Sequence, residues 1–532
     1  MTSATPPAPF PDQPPARDPF AALPKLDRHK PKAPAVRPSK VSRKRAYVLL
    51  GVHVLIGLHF LHWGLTGGSI TPVEPSEAMQ TLEGGRINAG FLLFVAMIAG
   101  TLVFGRWFCG WACHLVALQD LCAWLLGKLG LRPRPVRSRL LLFAPFVIGF
   151  YMFVWPQVAD WLFARPARPD WEWHLTSTDL WQTFPKWVMA PVSILVVGFL
   201  IVWWLGAKGF CSFGCPYGAF FAVADRVAPA RIRVTDACEH CGHCTSVCSS
   251  NVRVHEEVAK HGMVVDPGCM KCLDCVSVCP KDALYFGFGG IKPFAVSQQR
   301  ITARADFTWP EEIALALVAF TATQWTFRGA WFGEGVPLLL AVGLGVITAV
   351  FTLLGWRLLR RPAVTFQHTE WKRAGKLTPA GRWGALAVGV WLLFTVHTFT
   401  MQRWKGAALD VASAPLRERL NERKDVAAER FQAAHELVDG ALGFDLMDDP
   451  ELLQVRGLLR RELLRHDEAE ADLLAAWRRV PGIEWAGAAL AVYRMRANDP
   501  AGAAAYAREV LVHNPNNPTC LAILRQLESG PK

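Results

Sequence analysis

The stretches CEHCGHCTSVC, residues 238–248, and CMKCLDCVSVCP, residues 269–280, carry one arrangement twice: cysteines at 238, 241, 244 and 248, and again at 269, 272, 275 and 279. Each reads C-x2-C-x2-C-x3-C, and the second closes on Pro280. Three thiolates so spaced wrap one face of an iron–sulfur cubane, and the fourth ligand comes from the other run. The pattern predicts two [4Fe-4S] clusters with crossed ligands. Cluster 1 takes Cys238, Cys241, Cys244 and Cys279; cluster 2 takes Cys269, Cys272, Cys275 and Cys248. Zinc is the alternative, since CxxC pairs also bind it tetrahedrally, but two even four-cysteine runs with a terminal Cys-Pro fit cubanes better. A cubane held by four cysteines has no open position for substrate, so the segment is expected to relay electrons.

Two further pairs share another spacing. FCGWACH, residues 108–114, holds Cys109 and Cys113; FCSFGCPYGAF, residues 210–220, holds Cys211 and Cys215; both follow apolar runs. If each pair continues the preceding helix, its thiols lie at i and i+4, about 5 to 6 Å apart at Cβ. That is wide for a disulfide. Pro216 and Gly218 are expected to end the second helix. Both runs arrive at one membrane face, so Cys109, Cys113, Cys211 and Cys215 are candidates to share a soft metal or an additional cluster, with separate thiol pairs as the alternative. Cys122 and Cys520 stand apart and read as ordinary thiols.

Of 532 residues, 52% are hydrophobic, and the mean hydropathy is +0.21. That is high for a soluble chain and predicts a membrane protein. Apolar runs suited to spanning recur at 46–66, 88–105, 140–157, 187–205, 313–327, 335–355 and 383–400, the fifth being short. The first forty residues are polar and Pro-rich with no apolar signal core, so the first span is expected to remain as an anchor. A net charge of +13 invites a nucleic-acid reading, but the basic residues sit in alternate connections: SRKRAY, GKLGLRPRPVRSR, then WRLLRRP and EWKRAGK. The connection at 66–90 is acidic with one Arg. Topology therefore accounts for the charge, and no nucleic-acid partner is expected. The same rule places both CxxxC pairs and the central segment in the cytoplasm, and with seven spans the C-terminus lies outside.

The chain divides into a disordered basic tail (1–45), four transmembrane helices with the first CxxxC motif (46–205), a cytoplasmic segment with the CxxxCP motif and both clusters (206–311), three further spans (312–400) and a helical C-terminal domain (401–532). Ten of the fourteen cysteines fall in 206–311, which suits a small domain organised by metal. In the last domain HDEAEADLLAAWRRVPG and NDPAGAAAYAREVLVHNPNN match each other. They resemble tetratricopeptide (TPR) repeats of about 34 residues, with a plain helical bundle as the alternative. The fold class expected is mainly α: a polytopic α-helical membrane protein with an inserted two-[4Fe-4S], bacterial-ferredoxin-like α+β domain and a C-terminal TPR-like helical repeat domain.

Two membrane-edge CxxxC motifs followed by a two-cluster segment resemble the polyferredoxin membrane proteins of the NapH, NosR and CcoG type, over roughly residues 46 to 300. GRWFCGWACHLVALQDLCAWLLGKLGL is most similar to the NapH branch. The resemblance implies a multi-pass protein of the bacterial inner (cytoplasmic) membrane. It would have cytoplasmic clusters, and it would move electrons from the quinol pool toward periplasmic reductases or serve the maturation of copper enzymes. His114 stands where the family carries Pro. The repeat-like C-terminus lies outside the family core and is expected in the periplasm.

Ionisable residues within spans mark function by default. His59, His62 and His397 are placed near the outer face, where they would serve a quinone or a b-type haem. His53 lies at a different depth. Trp63, Trp107 and Trp111 read as an interfacial belt. The function expected is electron transfer between the quinone pool or a cytoplasmic donor and a respiratory reductase, as a subunit rather than a stand-alone enzyme, with a protein partner recruited by the repeat domain. The alternative is a copper or metalloenzyme assembly factor whose CxxxC thiols bind or reduce metal.

Overall fold

The computed structural model describes residues 36–131, 136, 138–164, 171–180, 188–250, 252–295, 306–331, 334–420, 425–446, 448–480, 482–514 and 516–528. The tail expected over 1–45 falls largely outside them.

The chain is mainly helical. Among the described residues, four helices are long and apolar enough to cross a membrane: α1 (Lys40–Thr66), α5 (Leu140–Phe163), α11 (Leu338–Arg360) and α12, whose qualifying stretch is Pro379–Arg419 within a helix running to Leu420. Between them lie the shorter apolar helices α2 (Ala89–Phe104) and α6 (Met189–Leu205), and α10 (Trp309–Ala322). Leu50, Val54, Leu55, Leu58, Leu61 and Leu65 of α1 are all exposed, a face suited to lipid tails and costly in water. Helix ends follow local chemistry. Ser39 caps α1 by accepting the Ser42 N–H at 3.1 Å, and Asn88 caps α2 by accepting the Phe91 N–H at 2.8 Å. A left-handed glycine, Gly67, closes α1.

Both CxxxC segments depart from a continued helix. After α2, Gly105 at φ 66° breaks the chain, α3 (Trp107–Trp111) carries Cys109, and Cys113 adopts an extended conformation as the N-cap of α4 (His114–Lys128). After α6, Gly206 at φ 95° breaks it again; α7 (Gly209–Phe213) carries Cys211, and Cys215 caps α8 (Pro216–Arg226). Pro216 therefore starts a helix instead of ending one, because at the first helical position its missing N–H costs nothing. The segments α2–α3–α4 and α6–α7–α8 form an internal repeat that composition alone did not reveal.

α7 and α8 pack with the apolar helices on one side and touch the two-cluster segment on the other, through Met270 beside Cys211 and Tyr217 and through the Asp225–Lys271 pair. Phe94 of α2 and Phe153 of α5 stack at 5.5 Å, and Tyr217 and Phe220 of α8 close on them at 5.5 to 6.0 Å. The two-cluster segment is built on an antiparallel pair, β1 (Arg231–Val234) and β2 (Leu284–Gly287), with Arg231 opposite Gly287 and Val234 opposite Leu284. Between the strands come helical turns at His243–Ser246 and Asp274–Ser277 and helix α9 (Val254–His261). Val252, Val254, Val258, Val264 and Ile232 fill its small core together with cysteines.

The helix that carries the last apolar run does not stop at 400. α12 continues unbroken to Leu420, crossing the expected boundary at 400/401. Its far end, with Ala408, Ala412 and Leu416, is buried in the core of the C-terminal domain. There follow α13 (Ala428–Phe444), α14 (Pro450–Glu462), α15 (His466–Arg479), α16 (Glu484–Arg496), α17 (Pro500–His513) and α18 (Pro518–Glu528). The starts at 450, 484 and 518, and at 466 and 500, recur every 34 residues. Gly457 lets α14 approach α15: a Cβ there would stand 2.9 Å from Leu473 Cγ.

Candidate functional site

The eight cysteines of the two runs are gathered into the two crossed quartets. Cys238, Cys241, Cys244 and Cys279 line one small cavity of about 20 Å³. Cys248, Cys269, Cys272 and Cys275 line another of about 10 Å³. The runs wrap these cavities through matched left-handed residues: His240 and Gly242 in the first, Lys271 and Leu273 in the second. Leu273 pays a steric cost of about 1 to 2 kcal/mol for that conformation, which marks the loop as constrained by what it surrounds.

Four thiols in each quartet, three from one run and one from the other, are the donor set of a cubane. Burial pushes the Cys248 thiol up to about 12 and the Cys272 and Cys244 thiols up to about 11. It also raises Cys275 well above the usual thiol range. Metal binding must therefore release protons here. His240, read as a loop residue, places Nδ1 4.0 Å from Cys238 Sγ.

The four remaining paired cysteines converge. Cys109, Cys113, Cys211 and Cys215 line one cavity of about 660 Å³ whose walls are mostly apolar and include His59, His62, Glu74, Arg106 and Tyr217. Cys109 and Cys211 are buried there, and Cys113 and Cys215 partly so. Gln119 of α4 fixes the second pair: its Oε1 accepts the Phe210 N–H at 3.1 Å, which leaves Nε2 to donate to Cys211 Sγ at 2.9 Å. Of the expected histidines, His59 bonds to the Ile70 carbonyl at 3.0 Å and His62 to Ser69 Oγ at 3.1 Å, both at the cavity wall. His397 stands elsewhere, stacked on Phe444 at 4.7 Å and bonded to its carbonyl at 3.0 Å. His114 lies at the cavity in the position where Pro216 opens α8.

The membrane quartet and the two-cluster segment meet backbone to backbone. A Cβ at Gly110 would lie 2.2 Å from the Met270 carbonyl oxygen, so the residue between Cys109 and Cys113 sits directly on the residue between Cys269 and Cys272. Trp111, expected in an interfacial belt, donates its indole N–H to the Lys271 carbonyl at 3.0 Å. Below them Asp225, 1% exposed, accepts the Arg106 backbone N–H at 3.0 Å and the Lys271 ammonium at 2.8 Å, with Arg231 at 3.7 Å. Asp120 pairs with Lys208 and, at 3.1 Å, with Arg45. Sequence reading missed Glu74, Arg106, Gln119, Asp225 and Tyr217. Only their place beside or between the cysteine motifs hinted at them.

Two known families match. A 4Fe-4S binding domain covers residues 89–132 and 188–235, taking in each half of the internal repeat with its CxxxC pair, and a 4Fe-4S dicluster domain covers 230–280. The chain is similar to the methylamine utilization ferredoxin-type protein MauN of Methylobacillus flagellatus, 30% identical over 34% of this chain and 62% of the relative. It is similar to the ferredoxin-type protein NapH of Haemophilus influenzae, 30% identical over 30% of this chain and 52% of the relative. The putative electron transport protein YccM of Escherichia coli is 27% identical over 42% of this chain and 69% of the relative. The chain thus spans between about half and three-fifths of the length of the MauN and NapH relatives, 62%, 60% and 52%. No solved structure matches it.

Proposed function

We propose that this homologue of ferredoxin-type electron-transport proteins, which binds [4Fe-4S] clusters, passes electrons from the quinone pool to a respiratory reductase. The route runs from the large cavity through Cys109, Cys113, Cys211 and Cys215, then through the Cys248, Cys269, Cys272 and Cys275 quartet, then through Cys238, Cys241, Cys244 and Cys279. The observation that carries this reading is the seating of Gly110 and Trp111 on Met270 and Lys271, which puts the loop of the Cys109 pair in direct contact with the loop of the nearer cluster quartet.

The clusters supply one-electron redox chemistry when bound. This chain's own residues supply the rest. The apolar cavity has the size of a site for a small organic ligand, and His59, His62, Glu74 and Tyr217 offer bases and hydrogen bonds at its wall. They would orient a quinol and take its protons, while Gln119 holds Cys211 in place. Cys241, exposed at the far quartet, is the outlet to a partner.

The segment with the clusters is read as cytoplasmic, and the C-terminal domain as a TPR-like module that recruits the partner from the periplasm. Four soft thiols in one site also suit Cu(I), which is the basis of the second reading, a metalloenzyme assembly factor. The test is anaerobic addition of a short-chain quinol to the purified protein, followed by EPR. Cluster reduction that is lost in a His59→Ala, His62→Ala double variant supports the reading. Reduction by dithionite but never by quinol, together with stoichiometric Cu(I) on the four thiols, overturns it in favour of the second.

A further inference from the structure

Arg45, near the start of α1, is 6% exposed and reaches down to the two-cluster segment. Its Nη1 lies 3.3 Å from Asp274 Oδ2 and its Nη2 lies 3.1 Å from Asp120 Oδ2. Asp274 lines the same small cavity as Cys248, Cys269, Cys272 and Cys275, and neither Nε nor Nη1 of Arg45 has an aligned hydrogen-bond partner among the described residues. Asp274, two residues beyond Cys272, is also 6% exposed and accepts the Ser39 hydroxyl at 2.7 Å. A buried carboxylate and its guanidinium partner, of opposite charge, thus flank the quartet that Cys272 belongs to.

We infer that Arg45 and Asp274 form a charge pair that sets the reduction potential of the cluster at Cys248, Cys269, Cys272 and Cys275, the one nearer the membrane quartet. The inference rests on the ligand set proposed above. Reduction adds one negative charge to a cluster already anionic through its thiolates, and burial in low dielectric penalises that charge. The other quartet escapes much of the penalty through the exposed Cys241. The nearer one does not, since Cys269 and Cys275 are buried. A guanidinium beside the quartet offsets the penalty and raises the potential, as positive charge near a cluster does; the Asp274 carboxylate works against it. SRKRAY therefore contributes a specific charge to the cluster and not only a topological signal.

The experiment is an anaerobic EPR redox titration of the full-length protein with Arg45→Gln, Arg45→Lys, Asp274→Asn and Cys272→Ser variants, each with its iron counted. Cys272→Ser is expected to lose iron and one cluster signal, which identifies the nearer cluster. Arg45→Gln is expected to shift that signal to lower potential, Asp274→Asn to higher potential, and Arg45→Lys to stay near wild type, with the other cluster unmoved. Both neutral variants break the same ion pair, so a role in holding the fold alone would shift them in the same direction. Shifts of the same sign, or none, with iron intact overturn the inference while leaving the ligand set standing. Unchanged iron and signals in Cys272→Ser overturn the ligand set and the inference with it. If Arg45→Gln fails to fold, the upward shift in Asp274→Asn still decides.

Discussion

Trp111 donates its indole N–H to the Lys271 carbonyl oxygen at 3.0 Å, across 160 residues of chain. This bond joins the loop between Cys109 and Cys113 to the loop between Cys269 and Cys272, and it turns two separate cysteine motifs into one continuous structure.

Adding a methyl group at this junction tests its importance. In Gly110→Ala the new Cβ meets the Met270 carbonyl oxygen at 2.2 Å, and both partners are backbone, so one loop must move. The cost expected is about 1 to 3 kcal/mol, as for overpacking elsewhere. The variant should keep its iron and its reduction by dithionite but lose most of its reduction by quinol, read by EPR after rapid mixing.

Asp225 is the electrostatic anchor beneath the junction. Asp225→Asn leaves Lys271 and Arg231, each 1% exposed, without their shared carboxylate. Removing one partner of a buried ion pair typically costs about 3 to 5 kcal/mol. Thermal unfolding should show a large loss, and limited proteolysis should cut first between residues 226 and 290.

The C-terminal domain carries its own pH response. Burial, together with the nearby charge of Arg460, holds His435 below its ordinary value of 6.5, and Arg460 Nε donates to its Nε2 at 3.2 Å. The neutral ring is favoured in the fold, so below pH about 6.5 the unfolded chain binds the proton first. Stability from this group is therefore present above the unfolded value and is lost as pH falls through the lower folded value. His435→Gln, which keeps an acceptor for Arg460, should flatten the part of the stability loss between pH 7 and pH 5 that wild type shows, measured by thermal unfolding in detergent.

How much of this was legible in the sequence depended on how local each signal is. The eight-cysteine code was legible because cluster ligation is written in spacings of two and three residues, and the crossed quartets follow from it. The 34-residue period was legible because helix pairs repeat in register. The CxxxC pairs were legible as pairs, but their geometry was not. Gly105 and Gly206 break the helices before the cysteines, and Pro216 reads as a terminator unless the chain is known to begin a helix there. The length of α12 was not legible from hydropathy, because the helix continues from its apolar stretch through Ala408, Ala412 and Leu416 into a different core. Arg45, Asp225 and Gln119 act on residues too distant in sequence for any local pattern to link them.

The central claim is that Cys109, Cys113, Cys211 and Cys215 form a redox centre in line with the two clusters. It is tested most directly by anaerobic iron, sulfide and EPR quantification of the wild-type protein beside a variant with all four changed to Ser. Two cubanes require about eight irons. The account predicts that wild type exceeds this number, and that the variant returns to it with loss of a distinct signal. Equal iron and identical spectra in the two proteins would contradict it and leave the four cysteines as thiols.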